Sequence, residues 1–143
     1  RLLRTMSAIS RGLPVIFPIH PRTARSFSGI DLGSSCIKLV EPQPYFEFIY
    51  LVKNSKAVIT DSGGITEEAT VLGKPCMTLR DNTERPETIE EGTNVLVGTN
   101  PDNLEHWFEK LFAGDWKIGG VPEKWDGKSG TRIIAHLNEI LCQ

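Results

Sequence analysis

The stretch TDSGGITEEA occupies residues 60–69 and directly follows the apolar run Ala57-Val58-Ile59. Two adjacent glycines between β-forming and helix-forming residues indicate a strand, a tight turn and a helix in immediate succession. The first N–H groups of a helix have no partner within the helix and lie at the positive end of its dipole. Glycines at that point allow an anion to approach the backbone closely. The stretch therefore predicts a diphosphate-binding site at Ser62, Gly63 and Gly64.

A simpler reading of the same stretch is that Ser62 only caps the helix and that the glycines only serve the turn. Glu68 favours the ligand-binding reading. It lies about one and a half turns into the predicted helix, where its carboxylate can accept hydrogen bonds from two ribose hydroxyls. Its alternative role is that of an exposed charge that supports the helix dipole.

Short β-rich runs recur on both sides of this stretch and predict five strands. Segments with helical spacing lie between them. Alternation of strand and helix predicts an α/β fold with a Rossmann-like, doubly wound parallel sheet covered on both faces. The predicted strands are 15–17, 37–40, 57–59, 77–79 and 95–97; the apolar positions of the helices between them include 48, 51 and 52, and 65, 69 and 72.

Residues that typically begin and end helices occur near the carboxyl terminus. Asn100 before Pro101 predicts an N-cap and a first-turn proline, and Gly114 predicts the end of that helix. Residues 114–128 show neither the helical nor the strand spacing of apolar residues and are predicted to form a surface connection. Apolar residues at 133, 134, 137 and 141 predict a final helix.

Ligands of open α/β sheets bind beyond the carboxyl ends of the strands, so the loops that leave the strands are candidate sites. Arg85 lies in the polar loop after the fourth strand and can donate to a diphosphate or a sugar; alternatively it pairs with Glu84 or Glu87 at the surface. His20 and Arg22 follow the first strand and are possible cleft residues. A lone histidine such as His20 more often has a structural role.

The composition sets further bounds. A chain of 143 residues with 39% hydrophobic residues and a formal charge of −2 predicts one domain and has no basic stripe for nucleic acid. It has no apolar run of bilayer length, so we expect no membrane partner and a cytoplasmic location. The three cysteines are far apart and lack metal-ligand spacing, so we expect no metal site and no cofactor. Residues 1–4 have the pattern of the middle of an amphipathic helix. We therefore expect a further segment upstream of residue 1.

Two motifs together, residues 60–69 and LRDNTERPE at 79–87, strongly resemble the non-hydrolysing UDP-N-acetylglucosamine (UDP-GlcNAc) 2-epimerases. Residues 14–23, 41–48 and 91–94 resemble the same family in the same order, so the resemblance extends from about residue 14 to about residue 100. It implies that residues 1–143 form the carboxyl-terminal, UDP-binding half of a fold with two Rossmann-like domains, similar to two-domain glycosyltransferases.

The resemblance also implies roles for individual residues. Phe48 is expected beside the uracil, Glu68 on the ribose, and Ser62, Gly63 and Gly64 on the diphosphate. Arg85 is expected near the phosphates or the sugar. The implied reaction interconverts UDP-GlcNAc and UDP-N-acetylmannosamine (UDP-ManNAc) by elimination and readdition of UDP, with the catalytic carboxylates on an amino-terminal domain. The chain alone is therefore expected to bind UDP without turnover, and the complete enzyme is expected to be a homodimer.

Two other functions are compatible with the residues alone. The first is the donor domain of a UDP-sugar glycosyltransferase, against which the loop at 80–86 argues because it resembles the epimerases. The second is a non-catalytic nucleotide-sensing module. The sequence does not distinguish UDP-GlcNAc from a modified sugar nucleotide such as a 2,3-diacetamido uronic acid derivative.

Overall fold

The computed structural model describes residues 2–20, 23, 25 and 36–141. The five predicted strands are all present, each displaced by at most one residue, and a helix lies between each two successive strands from the second to the fifth. The α/β fold class with parallel strands is thereby confirmed. The elements are α1 (Leu2–Ile9), β1 (Val15–Pro18), β2 (Ile37–Val40), α2 (Tyr45–Asn54), β3 (Val58–Thr60), α3 (Gly63–Val71), β4 (Cys76–Thr78), α4 (Glu87–Glu90), β5 (Asn94–Leu96), α5 (Pro101–Ala113) and α6 (Ser129–Leu141).

The described strands form two parallel sheets, whereas the sequence predicted one. β1 pairs with β2, and β3, β4 and β5 pair in that order, with Thr60 opposite Thr78 and Thr78 opposite Leu96. The difference arises because apolar periodicity identifies strands but carries no information on which strands share hydrogen bonds. In the larger sheet the carboxyl ends of all three strands lie at one edge, from which the loops to α3 and α4 depart.

The hydrophobic core is built around β4, in which all three residues are buried. Met77 is fully buried, as expected for the middle strand of a parallel sheet covered on both faces. Helix α1 contributes Met6 and packs against α5. The other buried members of the core are Val95, Val97, Leu104, Phe108 and Leu111.

Helix α5 begins and ends as the sequence predicted. The Asn100 side chain accepts a hydrogen bond from the backbone N–H of Asp102 at 3.0 Å, and Pro101 occupies the first turn. Gly114 ends the helix in the left-handed conformation, with φ at 76°, a region that glycine enters without steric cost. These two caps set the limits of the helix, and Leu104, Phe108 and Leu111 form its buried face.

Helix α3 buries Ala69 as predicted, but its buried face is otherwise shifted from the predicted one. Its buried residues are Thr66, Ala69 and Thr70, whereas Ile65 and Leu72 are only partly buried. The Thr66 hydroxyl donates to the carbonyl of Gly63 at 2.6 Å and that of Thr70 to the carbonyl of Thr66 at 2.9 Å. Because these hydroxyls are satisfied within the helix, their methyl groups can face the interior without a desolvation penalty.

A chain of buried hydrogen bonds joins the larger sheet to the loop after β4. The Thr78 hydroxyl donates to Asn94 Oδ1 at 2.8 Å, and Asn94 Nδ2 donates to the hydroxyl of Thr88 at 3.2 Å. The Thr88 hydroxyl in turn donates to the carbonyl oxygen of Arg85 at 2.7 Å. The backbone of the loop is therefore fixed by side chains of β4, β5 and α4.

Helix α6 is present as predicted, but none of its residues is buried. Its start is held by Arg132, whose Nη1 and Nη2 donate to Asp126 Oδ1 and Oδ2 at 2.9 Å and 2.6 Å. The predicted connection at 114–128 lies partly against β5, since Trp116 Nε1 donates to the carbonyl of Thr93 at 2.9 Å. No helix among the described residues has the length and apolarity required to cross a bilayer.

Two of the three cysteines, Cys36 and Cys76, lie among the described residues. Cys76 is buried in β4, and burial raises the pKa of its thiol to about 12, so it carries no charge near neutral pH. Cys36 is partly buried beside Ser7. Cys142 lies outside the described residues.

Candidate functional site

The amino terminus of α3 follows β3 after two residues, as the sequence predicted. Ser62 is its N-cap, with an extended backbone, and its side chain makes no capping hydrogen bond. Ser62 therefore occupies the cap position, as the simpler reading predicted, but its side chain does not cap the helix. Within the described part of the chain, the backbone N–H groups of Gly63, Gly64 and Ile65 donate to no acceptor, as expected for the first turn of an α-helix.

The backbone N–H of Ser62 is already used, because it donates to Thr60 Oγ1 at 3.0 Å. The expectation that Ser62 offers a backbone donor to a diphosphate is corrected accordingly: the unpaired backbone donors belong to Gly63, Gly64 and Ile65. Ser62 is exposed and presents its hydroxyl instead. A Cβ added at Gly64 would have Ser62 Oγ as its nearest neighbour, at 4.0 Å, so the space in front of this turn is open.

Arg85 lies beside the same helix end. A Cβ added at Gly63 would be 4.0 Å from Arg85 Cγ, so the stem of the arginine passes close to the glycine turn. Its Nε donates to the carboxylate of Glu67 on α3, and its Nη1 donates to the carbonyl of Glu84 at 3.2 Å. The alternative of pairing with the carboxylate of Glu84 or Glu87 is wrong. Glu84 instead pairs with Arg80, at 3.5 Å.

Two features leave Arg85 able to bind a ligand. Its side chain is 43% exposed, and Nη2 has no partner among the residues that the structure describes. Its backbone is fixed on both sides, because its N–H donates to Thr83 Oγ1 at 3.0 Å and its carbonyl accepts from Thr88. A guanidinium with a fixed stem and free donors is suited to bind phosphate oxygens.

Glu68 lies next to Glu67 on α3 but faces a different neighbour. Its Oε1 accepts a hydrogen bond of 2.8 Å from the hydroxyl of Tyr45, the first residue of α2. Glu68 is partly buried, and its bond to Tyr45 lies at the surface. The hydrogen bond to Glu68, with smaller contributions from desolvation and charge, raises the pKa of Tyr45 above its ordinary value of 10.0.

Phe48 is three residues after Tyr45 on α2 and is partly buried. Side chains three residues apart are neighbours on a helix surface, so Phe48 lies on the face that Tyr45 turns towards α3. The structure thus places Gly63, Gly64, Glu68 and Arg85 on or beside α3, with the Ser62 hydroxyl near them, and the Tyr45–Glu68 bond joins α3 to the helix that carries Phe48.

One of the two possible cleft residues lies among the described residues. His20 is exposed at the carboxyl end of β1, and Arg22 lies outside the described residues. No cluster of three or more His, Cys, Asp or Glu side chains that could hold a metal ion occurs among the residues described.

Sequence reasoning missed two residues that hold the site together, Tyr45 and Glu67. Both lie within the segments that resemble the epimerases, but no periodicity relates Tyr45 to Glu68, 23 positions later, or Glu67 to Arg85, 18 positions later. The pairing of β3 with β4 brings Arg85 to Glu67, whereas the packing of α2 against α3 brings Tyr45 to Glu68.

The comparison with known proteins assigns the family. The family model for UDP-N-acetylglucosamine 2-epimerase matches residues 1–138, and the chain belongs to this family. It is 45% identical over 132 residues to the UDP-N-acetylglucosamine 2-epimerase of Methanocaldococcus jannaschii, covering 86% of this chain and 34% of that protein. It is 44% identical over 131 residues to the UDP-2,3-diacetamido-2,3-dideoxy-D-glucuronate 2-epimerase of Pseudomonas aeruginosa, covering 89% and 35% of the two chains.

The same family appears among solved structures. The Methanocaldococcus jannaschii UDP-GlcNAc 2-epimerase, solved in complex with UDP-GlcNAc and UDP, has a TM-score of 0.71 and 39% identity, covering 95% of this chain and 41% of that one. The chain thus spans about a third of the length of the curated relatives it matches.

Proposed function

We propose that this chain is the carboxyl-terminal, UDP-binding domain of a 2-epimerase that interconverts UDP-GlcNAc and UDP-ManNAc. The observation that carries the proposal is the set of unpaired N–H groups at Gly63, Gly64 and Ile65, flanked by the guanidinium of Arg85. Backbone donors, a helix dipole and a cation that converge on one open space form a site for a diphosphate.

The remaining parts of a nucleotide fit around that point. Glu68 is five residues further along α3 than Gly63, and its Oε2 has no partner among the described residues, so it can accept from ribose hydroxyls. Phe48, on the neighbouring face of α2, offers a ring to the uracil. The Ser62 hydroxyl adds a donor to the diphosphate. His20 and Arg22 are proposed to line the cleft towards a second domain.

The chain is proposed to supply nucleotide binding rather than the acid–base chemistry at the sugar. Inversion at carbon 2 requires groups that remove and return a proton there, and donors that stabilise the charge developing on departing UDP. The α3 amino terminus and Arg85 provide the second requirement. The first is assigned to an amino-terminal domain, so the isolated chain is proposed to bind UDP without turnover. The complete protein is proposed to be a cytoplasmic homodimer that uses no cofactor.

The proposed UDP site does not by itself select the sugar. A relative named for UDP-2,3-diacetamido-2,3-dideoxy-D-glucuronate is 44% identical to this chain, and one named for UDP-N-acetylglucosamine is 45% identical. Since both names share the UDP group, the proposed UDP site is compatible with either. Competition between the two sugar nucleotides and UDP would measure how much of the discrimination this chain provides.

Isothermal titration calorimetry of the chain with UDP tests the binding proposal. We expect saturable binding that Glu68→Ala weakens by about tenfold or more, because charge-assisted hydrogen bonds contribute about 1.5 to 3 kcal/mol. Glu109→Ala removes an exposed glutamate of α5 and serves as the matched control, which we expect to bind UDP like the parent. Equal binding by Glu68→Ala and the parent, with unchanged circular dichroism, would refute the ribose assignment.

A separate NMR experiment tests the proposal that the catalytic groups lie in another domain. The chain incubated with UDP-GlcNAc should yield no UDP-ManNAc, and formation of that product by the purified chain would overturn the assignment of catalysis to another domain. Light scattering of the same sample should give a monomer, since the dimer contact is proposed to lie in that other domain.

A further inference from the structure

The only side-chain hydrogen bond in the described structure that joins α2 to α3 lies at the proposed ribose site. The Tyr45 hydroxyl donates to Glu68 Oε1 at 2.8 Å. Tyr45 begins the helix that follows β2 of the smaller sheet, whereas Glu68 belongs to the helix that follows β3 of the larger sheet. This bond therefore links the elements that would carry the uracil and the ribose.

Tyr45 itself is suited to hold another group in place. Its ring is 59% exposed, but it packs edge-on against Phe46, with ring centroids 5.6 Å apart and planes at 70°. A tyrosine has two side-chain torsions, so fixing its ring costs less conformational entropy than fixing a glutamate. The phenol also remains a donor near neutral pH, since its bond to Glu68 raises its pKa.

The bond uses only part of the accepting capacity of Glu68. An ionised carboxylate has two oxygens, each able to accept more than one hydrogen bond. Tyr45 occupies one position on Oε1, which leaves Oε2 and the second position on Oε1 for two hydroxyl donors. A free glutamate samples several rotamers and loses that freedom when a ligand binds, whereas a glutamate held beforehand does not.

We propose that Tyr45 is a positioning residue that holds the Glu68 carboxylate ready for the two ribose hydroxyls of the nucleotide. This inference rests on the proposed function, because it takes Glu68 as the ribose-binding group. Tyr45 acts through Glu68 and gains no contact of its own with the diphosphate. Its effect on affinity should therefore disappear when Glu68 or the ribose hydroxyls are removed.

The experiment is a cycle of variants and ligands measured by calorimetry on the full chain. Tyr45→Phe removes only the hydroxyl and should weaken UDP binding by about threefold to tenfold. In the Glu68→Ala background the same change should have no effect. With 2′-deoxy-UDP, the loss caused by Tyr45→Phe should be smaller than with UDP, because part of the interaction with Glu68 is already absent.

Tyr50→Phe provides the matched control. Tyr50 lies on the same helix, is 67% exposed, and its hydroxyl makes no side-chain hydrogen bond to α3. It should bind UDP like the parent. Circular dichroism should be unchanged for both phenylalanine variants, since each removes one exposed hydroxyl.

The outcomes separate this inference from the function on which it rests. If Glu68→Ala weakens UDP binding and Tyr45→Phe does not, the positioning role is wrong and the ribose site stands. If Tyr45→Phe weakens UDP binding equally with and without Glu68, Tyr45 acts on the ligand directly and the positioning role is again wrong. If neither change matters, the ribose site itself is wrong.

Discussion

Arg85 and Glu67 form an ion pair that crosses from the loop after β4 to helix α3, with Nε of the arginine directed at the carboxylate. The two side chains are 43% and 37% exposed, so the pair lies at the surface of the molecule. Exposed ion pairs contribute about 0 to 1 kcal/mol to folding, because water and salt screen them. The pair is therefore better suited to orient Arg85 than to stabilise the chain.

Arg85→Ala should separate these two roles. We expect the free energy of unfolding in urea to fall by less than about 1 kcal/mol, and UDP affinity to fall by about tenfold or more, because phosphate oxygens lose a charged donor. Arg80→Ala is the control, since Arg80 is in the same loop and, among the residues that the structure describes, pairs only with Glu84. A large loss of stability with unchanged UDP binding would show that Arg85 is structural.

Gly64→Val should abolish the close approach of a phosphate to the backbone. The side chain has room in the free chain, with its Cβ no nearer than 4.0 Å to Ser62 Oγ, so the fold should persist. UDP affinity should fall by more than about tenfold, as the loss of two or more backbone hydrogen bonds to a charged group implies. Gly130→Val places the same side chain in the first turn of α6, where nothing lies within 4 Å, and should bind UDP normally.

Gly92→Ala should destabilise the fold without touching the ligand. A Cβ at this buried position would lie 2.6 Å from Thr70 Cγ2 and 2.6 Å from the carbonyl oxygen of Thr88. Overpacking of this kind costs about 1 to 3 kcal/mol, to be measured as a lower free energy of unfolding in urea. Gly120→Ala has no neighbour within 4 Å and should change stability by less than about 0.5 kcal/mol.

Acid should loosen the start of α6. Hydrogen bonds from Arg132, and then from the backbone N–H of Lys128, lower the pKa of Asp126 from 3.8 to about 2. Since the folded pKa is depressed, the stabilisation is fully present above the ordinary value and is lost as the pH falls through about 2. NMR titration of the Asp126 carboxyl should show the depressed pKa, and Arg132→Gln should return it towards 3.8. An unchanged pKa in that variant would contradict the assigned cause.

Strand positions, the caps of α5 and the glycine turn before α3 were predictable because each depends on residues close in sequence. Periodicity locates strands, and Asn100 and Gly114 have cap preferences of their own. The sequence singled out Arg85 and Glu68 as candidates, but not the residues that hold them in place. The burial of the two threonines of α3 was not predicted. A sequence pattern counts threonine as polar, although a threonine whose hydroxyl bonds within its own helix can be buried.

The other features that were not predicted depend on which elements pair and on how individual side chains are oriented. Whether β2 pairs with β3 or with β1 is decided by backbone hydrogen bonds, and apolar runs do not record them. The use of the Ser62 N–H by Thr60 depends on one side-chain rotamer. The Tyr45–Glu68 and Glu67–Arg85 contacts require two elements to be placed first, so they follow from the fold rather than from any local pattern.

Buried hydrogen bonds run from Thr78 through Asn94 and Thr88 to the Arg85 carbonyl, so interior residues help to position the proposed UDP site. A leucine at 94 has the same branching of heavy atoms, yet it would remove the acceptor of the Thr78 hydroxyl and the donor to the Thr88 hydroxyl, which would loosen the loop that positions the guanidinium. Tolerance to substitution in this protein should therefore follow connection to Arg85 rather than distance from UDP. Residues that never meet the nucleotide would be selected alongside those that do.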